Sequence, residues 1–361
     1  MLKLRGVDFA KVNWPVLDQF EDRTVFQIRE WIRFISECQN ASPVIAEILD
    51  DGTPIGYFTG LVIRRLGFKI LGSSFPGWTT PYIGFNLKKE GARREALKAL
   101  EVFAFKDLKC VHLEVSDRLF RPEDSEQLGF DVGAYRSYET DLRQSEQEIF
   151  DQMSSACRRC IRKAEKSGVR IEEAHDDAFA EEYYEQLKDV FAKQSLVPTY
   201  DLNRVKSLIR NLLPTGHLLL LRALDPKGQC IATGIYPGMN KVAEFWGNAS
   251  FRHSQNFRPN EFLHWYAMRY WKARGIEVFD WGGGGEYKEK YGVKPTSVPW
   301  FRKSRYQLIG ALRQHGKKIF RFKQHILGTL RTLNANEKAH TDSFNEIANS
   351  TDDVSQTSSR K

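Results

Sequence analysis

The same succession of short β-rich runs and amphipathic helices occurs twice along the chain, and this recurrence limits the fold more than any single motif does. In the first half a helix is read over residues 24–38, where Phe26, Ile28, Trp31, Ile32 and Ile35 fall on one face at helical spacing. The runs PVIAEIL, IGYFTGLVI and KILGS follow as a meander, the first two joined by a hairpin at Asp51-Gly52, a dipeptide that tolerates positive φ. A helix over 91–108, the strand CVHLEV and a close near YETDL complete a compact α/β unit. The second half opens on a capping box, Ser145 with Glu148, whose helix runs to Gly168. VRIEEA, helices over about 179–193 and 203–213, the runs HLLLLRAL, QCIATGIYP and KVAEFWGNAS, a long helix and the strand IEVFDW then repeat the order. No residue-level repeat accompanies it. The expectation is an α/β chain of mixed sheets in two units, 1–143 and 144–308, two versions of one fold.

The long helix is read as starting at Pro259 or Asn260 and ending at Gly275. Proline is tolerated at the first helical position, Asn260 can cap, Glu261 suits the positive end of the dipole, and Gly275 can adopt the left-handed terminating conformation. Beyond it, residues 309–333 read as a basic amphipathic helix. Residues 334–361 have almost no apolar periodicity and read as a disordered tail.

The 361 residues include 41% hydrophobic side chains, enough for packed cores, yet no stretch approaches a membrane span and the N-terminus lacks the apolar core of a signal peptide. The five cysteines are scattered and odd in number, which fits reduced thiols. Cys157 and Cys160 form a C-x-x-C pair, but with no second pair and no histidine cluster no metal is expected. The chain is therefore expected in the cytoplasm, with 309–333 suited to the inner face of an anionic membrane. A formal charge of +8 favours anionic partners in general.

Four stretches carry candidate chemistry. FDWGGGGEYKEKYGVKP, 279–295, places four glycines after a strand, but it lacks the P-loop spacing, so the glycines mark a close approach of a ligand or backbone, or a positive φ. The loop before the long helix carries Arg252, His253 and Arg258, with Asn260 just inside; a helix N-terminus there favours an anion, such as the phosphates of a donor. In SACRRCIRKAEKSGV, Arg158 and Arg162 share one helix face while Arg159, Lys163 and Lys166 share another, a density suited to phosphate or carboxylate. SSFPGWTTPYIGF, 73–85, lacks periodicity and offers Trp78 and Tyr82 to stack on sugar faces of an acceptor.

The arginine-rich run through Gly168-Val169, taken with Phe279-Asp280, the glycines, Tyr287-Lys288 and Tyr291-Gly292, resembles the Fem-type branch of the GNAT acyltransferase superfamily over about residues 24–308. The resemblance implies two tandem GNAT-like domains and acyl transfer to an amine. The implied donor is an acyl-CoA such as acetyl-CoA, or an aminoacyl-tRNA; the implied acceptor is a small-molecule or glycan amine, for instance on a cell-envelope or exopolysaccharide precursor. It also implies that Lys288 and Arg158 or Arg162 bind phosphates. Two features depart from the pattern: the pyrophosphate loop Gln/Arg-x-x-Gly-x-Gly/Ala is absent from 252–261, and no heptad insertion is present.

Amine attack on an acyl donor needs a base, an oxyanion donor and an acid for the leaving group, with no metal and no covalent enzyme intermediate. No H-E-x-x-H or G-x-S-x-G occurs. Glu244 is the candidate base, Asp280 its alternative, and Tyr287 or Tyr291 the candidate acid. Two non-catalytic readings stand beside this one: a module binding RNA or acidic glycan through residues 158–166, and a membrane-attached assembly factor. No DNA partner is expected.

Overall fold

The computed structural model describes residues 1–88, 91–192 and 196–306. The first half runs β1 (Leu2–Val7), α1 (Trp14–Leu17), α2 (Arg29–Gln39), β2 (Ser42–Asp50), β3 (Thr53–Arg65), β4 (Phe68–Gly72), β5 (Gly84–Leu87), α3 (Arg93–Val102), β6 (His112–Ser116) and β7 (Asp131–Asp141). The second runs α4 (Glu146–Gln152), α5 (Ser155–Lys166), β8 (Arg170–Glu173), α6 (Ala178–Ala192), α7 (Leu202–Leu212), β9 (Leu218–Leu224), β10 (Cys230–Met239), β11 (Val242–Glu244), β12 (Gly247–Ser250), α8 (Pro259–Lys272), β13 (Val278–Asp280) and β14 (Lys294–Ser304).

The strands form one continuous sheet in the order β1-β2-β3-β4-β6-β14-β7-β13-β11-β10-β9-β8, with β5 beside β3 and β12 beside β10. Each half contributes four antiparallel strands and then a parallel step, β4 with β6 in the first half and β11 with β13 in the second. The halves are related by a pseudo-twofold arrangement, and they exchange their last strands. β7 pairs with β13 of the second half, β14 pairs with β6 of the first, and the two exchanged strands pair with each other over nine residue pairs, from Lys294↔Glu139 to Arg302↔Asp131.

Strand periodicity divides the core. Leu218 and Leu220 face one side of the sheet and Leu219 and Leu221 the other, so the run LLLL is apolar because it is covered on both sides. On one side α2, α6 and α7 share a single core that includes Trp31, Phe34, Tyr183 and Leu208. On the other side the core splits, with Leu97 and Leu100 of α3 over the first half and Ile161, Leu263 and Trp271 of α5 and α8 over the second.

Three expectations shift in detail. The helix read over 24–38 begins with a 3₁₀ turn at 25–27, because Thr24 and Gln27 form a capping box, and α2 itself starts at Arg29. The helix read from Ser145 to Gly168 is two helices, since the Ser154 side chain accepts the Cys157 N–H at 3.2 Å and starts a second one. Asn260 is not the cap of α8: Pro259 is the first helical residue and Arg258, at φ 58°, holds the cap position, while the Asn260 amide donates to Ser250 Oγ at 3.1 Å. The segments read as the 309–333 helix and the 334–361 tail lie outside the described residues.

Candidate active site

The parallel strands β11 and β13 end on the register pair Glu244↔Asp280. Beyond it the backbone parts. Phe245 N–H still donates to Asp280 O at 2.8 Å, but Trp246 N–H turns to Ile235 O at 3.1 Å. The gap opens into a cavity of about 530 Å³ walled by the 74–81 loop and Ser116 of the first half, by Glu244, Trp246, Trp281 and the glycine loop of the second, and by Tyr135 and Trp300 of the exchanged strands. Both halves and both exchanged strands thus meet at one site.

Asp280 is buried and fully engaged: Ser137 Oγ donates to Oδ1 at 2.5 Å, Gly282 N–H to Oδ1 at 2.9 Å and Tyr82 OH to Oδ2 at 3.1 Å. Glu244 is equally buried, yet its Oε2 has no hydrogen-bond partner. Burial, and then the neighbouring Asp280 charge, push the Glu244 carboxyl well above the usual carboxylate range. A carboxyl in that state suits proton exchange with an amine better than an ordinary exposed glutamate does.

Gly282 and Gly283 of the glycine run form part of the rim. Gly282 stands at φ 66°, and any Cβ there would meet Glu244 Oε1 at 3.2 Å. At Gly283 a Cβ would lie 2.8 Å from the Tyr135 ring, and its N–H donates to Tyr135 OH at 2.7 Å. Lys288 folds back under this rim and donates to the carbonyls of Trp281, Gly282 (3.2 Å) and Gly283 (3.0 Å). Burial lowers its pKa, against the raising influence of Glu244 and Asp280. With its three N–H donors committed, the ammonium anchors the loop and balances the carboxyl pair; it does not project toward a phosphate.

Tyr135 is a half-buried phenol whose pKa burial drives upward, so it keeps its proton at neutral pH and has an O–H to give. It was not among the candidates from sequence, nor was Ser137. The signal was present: in YRSYE the residues Tyr135, Ser137 and Glu139 fall on one face of β7, and each meets the site network, Glu139 by accepting from Arg118 at 2.5 Å. What the sequence lacked was the partner, since β7 reaches this site by strand exchange. His264 of α8 is also new. It is buried against Phe245, Trp281 and Tyr291, bonded to Tyr236 OH at 3.0 Å, and held neutral by burial and by Lys290 and Lys288, its pKa down to about 3.

A second concavity, about 610 Å³, lies between α5 and the start of α8, lined by Arg159, Arg162, Lys163, Lys166 and Arg258. None of these five cations forms an ion pair among the described residues, and no side chain caps the α8 N-terminus. Such a cluster favours an anion by simple electrostatics. Glu261 in the first turn of α8 pairs with Lys290 at 2.6 Å, tying this end of the helix to the turn that carries Lys288.

The candidates from sequence therefore separate. Glu244, Tyr287 and Lys288 line the cavity, with Asp280 directly behind them. Of the residues before α8, only Arg258 lines the cationic cleft; Arg252 and His253 are exposed in a 3₁₀ turn, with His253 stacked on Phe251. Arg162 lines the cleft, but Arg158 turns back to the carbonyls of Asp151 (2.6 Å) and Met153 (2.8 Å) freed by the break between α4 and α5. Trp78 and Tyr82 are core residues and display no free face for a sugar: Trp78 packs on Phe75, and Tyr82 spends its hydroxyl on Asp280. Tyr291 is stacked under Trp281 and buried. Among the described residues no group of three or more His, Cys, Asp or Glu side chains is arranged to hold a metal ion, and no helix is long and apolar enough to cross a membrane.

Residues 152–291, which carry α5, the carboxyl pair and the glycine loop, match the family described as Acetyltransferase (GNAT) domain. Acyl or aminoacyl transfer in general is the activity class of that domain. Among solved structures, FemX superposes with a TM-score of 0.70 at 14% identity, over 85% of this chain and 99% of that one. The C-terminal domain (DUF2156) of a candidate lysylphosphatidylglycerol synthetase from Agrobacterium fabrum superposes at 0.54 and 10% identity, over 84% of this chain and 93% of that one. L-PGS from Bacillus licheniformis gives 0.52 at 10%, over 79% and 90%. No curated protein matches the sequence. The chain shares the fold of FemX, and within it residues 152–291 match the GNAT domain.

Proposed function

We propose that the chain is an N-acyltransferase that moves an acyl group from acyl-CoA to an amine on a glycan or nucleotide-sugar precursor of envelope or extracellular polysaccharide. The observation that carries the reading is the buried carboxyl pair Glu244 and Asp280 at the parting of two parallel strands, with Glu244 on the wall of a cavity that also presents the rings of Tyr135, Trp246, Trp281 and Trp300. The fraction of Glu244 that is ionised takes one proton from the entering ammonium, and the carboxyl passes that proton to solvent after turnover. The neutral amine then attacks the carbonyl carbon of the thioester, the N–C bond forms, and Tyr135 OH donates a hydrogen bond to the oxygen that becomes negative. As the C–S bond breaks, the sulfur leaves with its electron pair and takes a proton from the amide-forming nitrogen by way of Tyr135 or water. Asp280, held by three donors, sits directly behind Glu244 and favours the protonated form of Glu244. The aromatic walls suit the apolar face of a sugar ring. The five cations by α8 suit the phosphates of the donor.

The same cations favour a second reading, with aminoacyl-tRNA as donor. Arg159, Lys163 and Lys166 run about 10 Å along α5 without a carboxylate partner, a row that follows a polyanion as readily as a compact pyrophosphate. Calorimetric titration with acetyl-CoA and CoA decides between them. Saturable binding, weakened about tenfold by Arg258→Ala or Arg162→Ala, supports the thioester donor. Failure of every acyl-CoA, with salt-sensitive binding and turnover of aminoacyl-tRNA, moves the reading to the second donor. Binding of RNA or acidic glycan with no turnover of either donor identifies a non-catalytic module.

A further inference from the structure

The two hairpins of the first meander have the same backbone and opposite chemistry. At the β2–β3 turn the two central residues are Asp51 and Gly52, at φ 45° and 88°, a pairing well suited to that conformation. At the β3–β4 turn, where Arg65 pairs with Phe68, the central residues are Leu66 and Gly67, at φ 50° and 81°. A leucine is poorly suited to a left-handed φ, and Leu66 gains nothing by burial, because it is 97% exposed. Phe68 beside it is 52% exposed. A large apolar side chain in an unfavourable conformation with no protein contact points to a role outside the fold.

The surroundings of the tip are cationic. Arg64 and Arg65 are exposed on the hairpin itself. The strand ends beside it are stitched across the sheet, Val111 N–H to Lys69 O at 2.9 Å and Arg305 N–H to Val111 O at 2.9 Å, which brings Lys69, Lys109 and Arg305 onto the same rim. Lys106 and Asp107 are exposed in the turn before Lys109. None of these cations forms an ion pair among the described residues. Tyr306, half-exposed, follows Arg305 on this rim.

We propose that the β3–β4 hairpin is a membrane-docking element, which inserts Leu66 and Phe68 into the interface of an anionic bilayer while Arg64, Arg65 and the neighbouring rim bind lipid phosphates. An aliphatic tip ringed by cations matches such an interface on both counts, acyl chains for the leucine and headgroup charge for the arginines. A nucleic acid would use the cations and offer nothing to Leu66. The five residues of β4 set the tip about 16 Å from Ser73, so a docked chain holds its cavity above the headgroups.

The test uses the full chain and vesicles of phosphatidylcholine with or without about one-third phosphatidylglycerol. The wild type is expected to sediment with the anionic vesicles and not with the neutral ones. Leu66→Asn suits the left-handed turn better than leucine, so it is expected to hold or raise the thermal midpoint while weakening vesicle binding about tenfold, and Phe68→Ser to add to that loss. A fall in stability is therefore separable from a fall in binding. Wild-type affinity in the Leu66→Asn, Phe68→Ser double variant overturns the proposal, as does failure of the wild type to bind anionic vesicles. Loss of tRNA binding in that variant with vesicle binding intact also overturns it.

Discussion

In the first half of the chain the parallel strands end on Gly72↔Glu114, and in the second on Glu244↔Asp280, at equivalent places in the sheet. The first end is closed. Ser73 Oγ donates to Ser116 O and accepts Ser116 N–H, both at 2.7 Å, and the Phe75 ring lies where a side chain at residue 72 would stand. Just beyond, Asp117 takes N–H bonds from Phe85 (2.7 Å) and Leu119 (2.8 Å) and pairs with Arg93, which also reaches Asp22 at 2.8 Å. The second end is open: the strands part, Glu244 keeps an unpartnered oxygen, and the cavity begins there. A duplicated architecture therefore needs one working gap. The other copy serves as wall and anchor for it, through Ser116, the 74–81 loop and β7.

The sharpest way to break this comparison is to neutralise the carboxyl at each end. Glu244→Gln is expected to lower kcat by about 10²- to 10⁴-fold in an acyl-transfer assay, while Glu114→Gln changes it by roughly twofold at most. Equal losses would make the two ends functionally alike. Next in size, Tyr135→Phe is expected to reduce kcat about ten- to a hundredfold with little change in KM for the amine; a KM effect alone would assign Tyr135 to binding.

Stability sharpens the contrast further. Burial and Asp280 raise the Glu244 carboxyl above its ordinary 4.5, so the folded chain keeps a proton that the unfolded chain releases as pH rises. The group's contribution is full below about pH 4.5 and declines as pH climbs toward the raised folded value, by at most about 1.4 kcal/mol per pH unit. Glu244→Gln, which cannot ionise, is accordingly expected to gain on the wild type in urea unfolding as pH is raised from about 5 to 8. A constant gap would mean that the carboxyl is not held protonated. The smallest effect belongs to the closed end: Ser73→Ala removes the stitch to Ser116 and is expected to cost about 1 kcal/mol in the same unfolding experiment, with turnover unchanged.

Much of this was legible before any coordinates. The order of elements, the Asp51-Gly52 hairpin and the two-fold recurrence follow from local pattern, because turn chemistry and periodicity are short-range properties, and the fold brings Glu244, Asp280 and Lys288, singled out from their motifs, to one place. The failures are long-range. Nothing within β7 or β14 says that they change places, since either register satisfies the same alternation of side chains. Tyr135 and Ser137 were therefore missed, though they bond to residues more than a hundred positions away. Trp78 and Tyr82 were misread for the related reason that an aperiodic aromatic loop looks the same in sequence whether it lines a groove or plugs a core. The open conformation of Lys288 was likewise assumed, because the carbonyls that hold it exist only once the glycine loop has curled around it.

The exchange of β7 and β14 also sets a schedule for synthesis. When β7 emerges from the ribosome, neither of its neighbours has been made, and the second of them is complete only at Ser304, 163 residues after Asp141. At about 5–20 residues per second, both edges of β7 stay unpaired for roughly 7 to 28 seconds, until β13 is complete at Asp280, and its β14 edge until Ser304. For that interval the nascent first half presents three bare strand edges, one on β6 and two on β7, any of which can pair with another chain on the same message. Production of this fold in quantity is thus expected to depend on holdase chaperones and to suffer under fast, crowded translation.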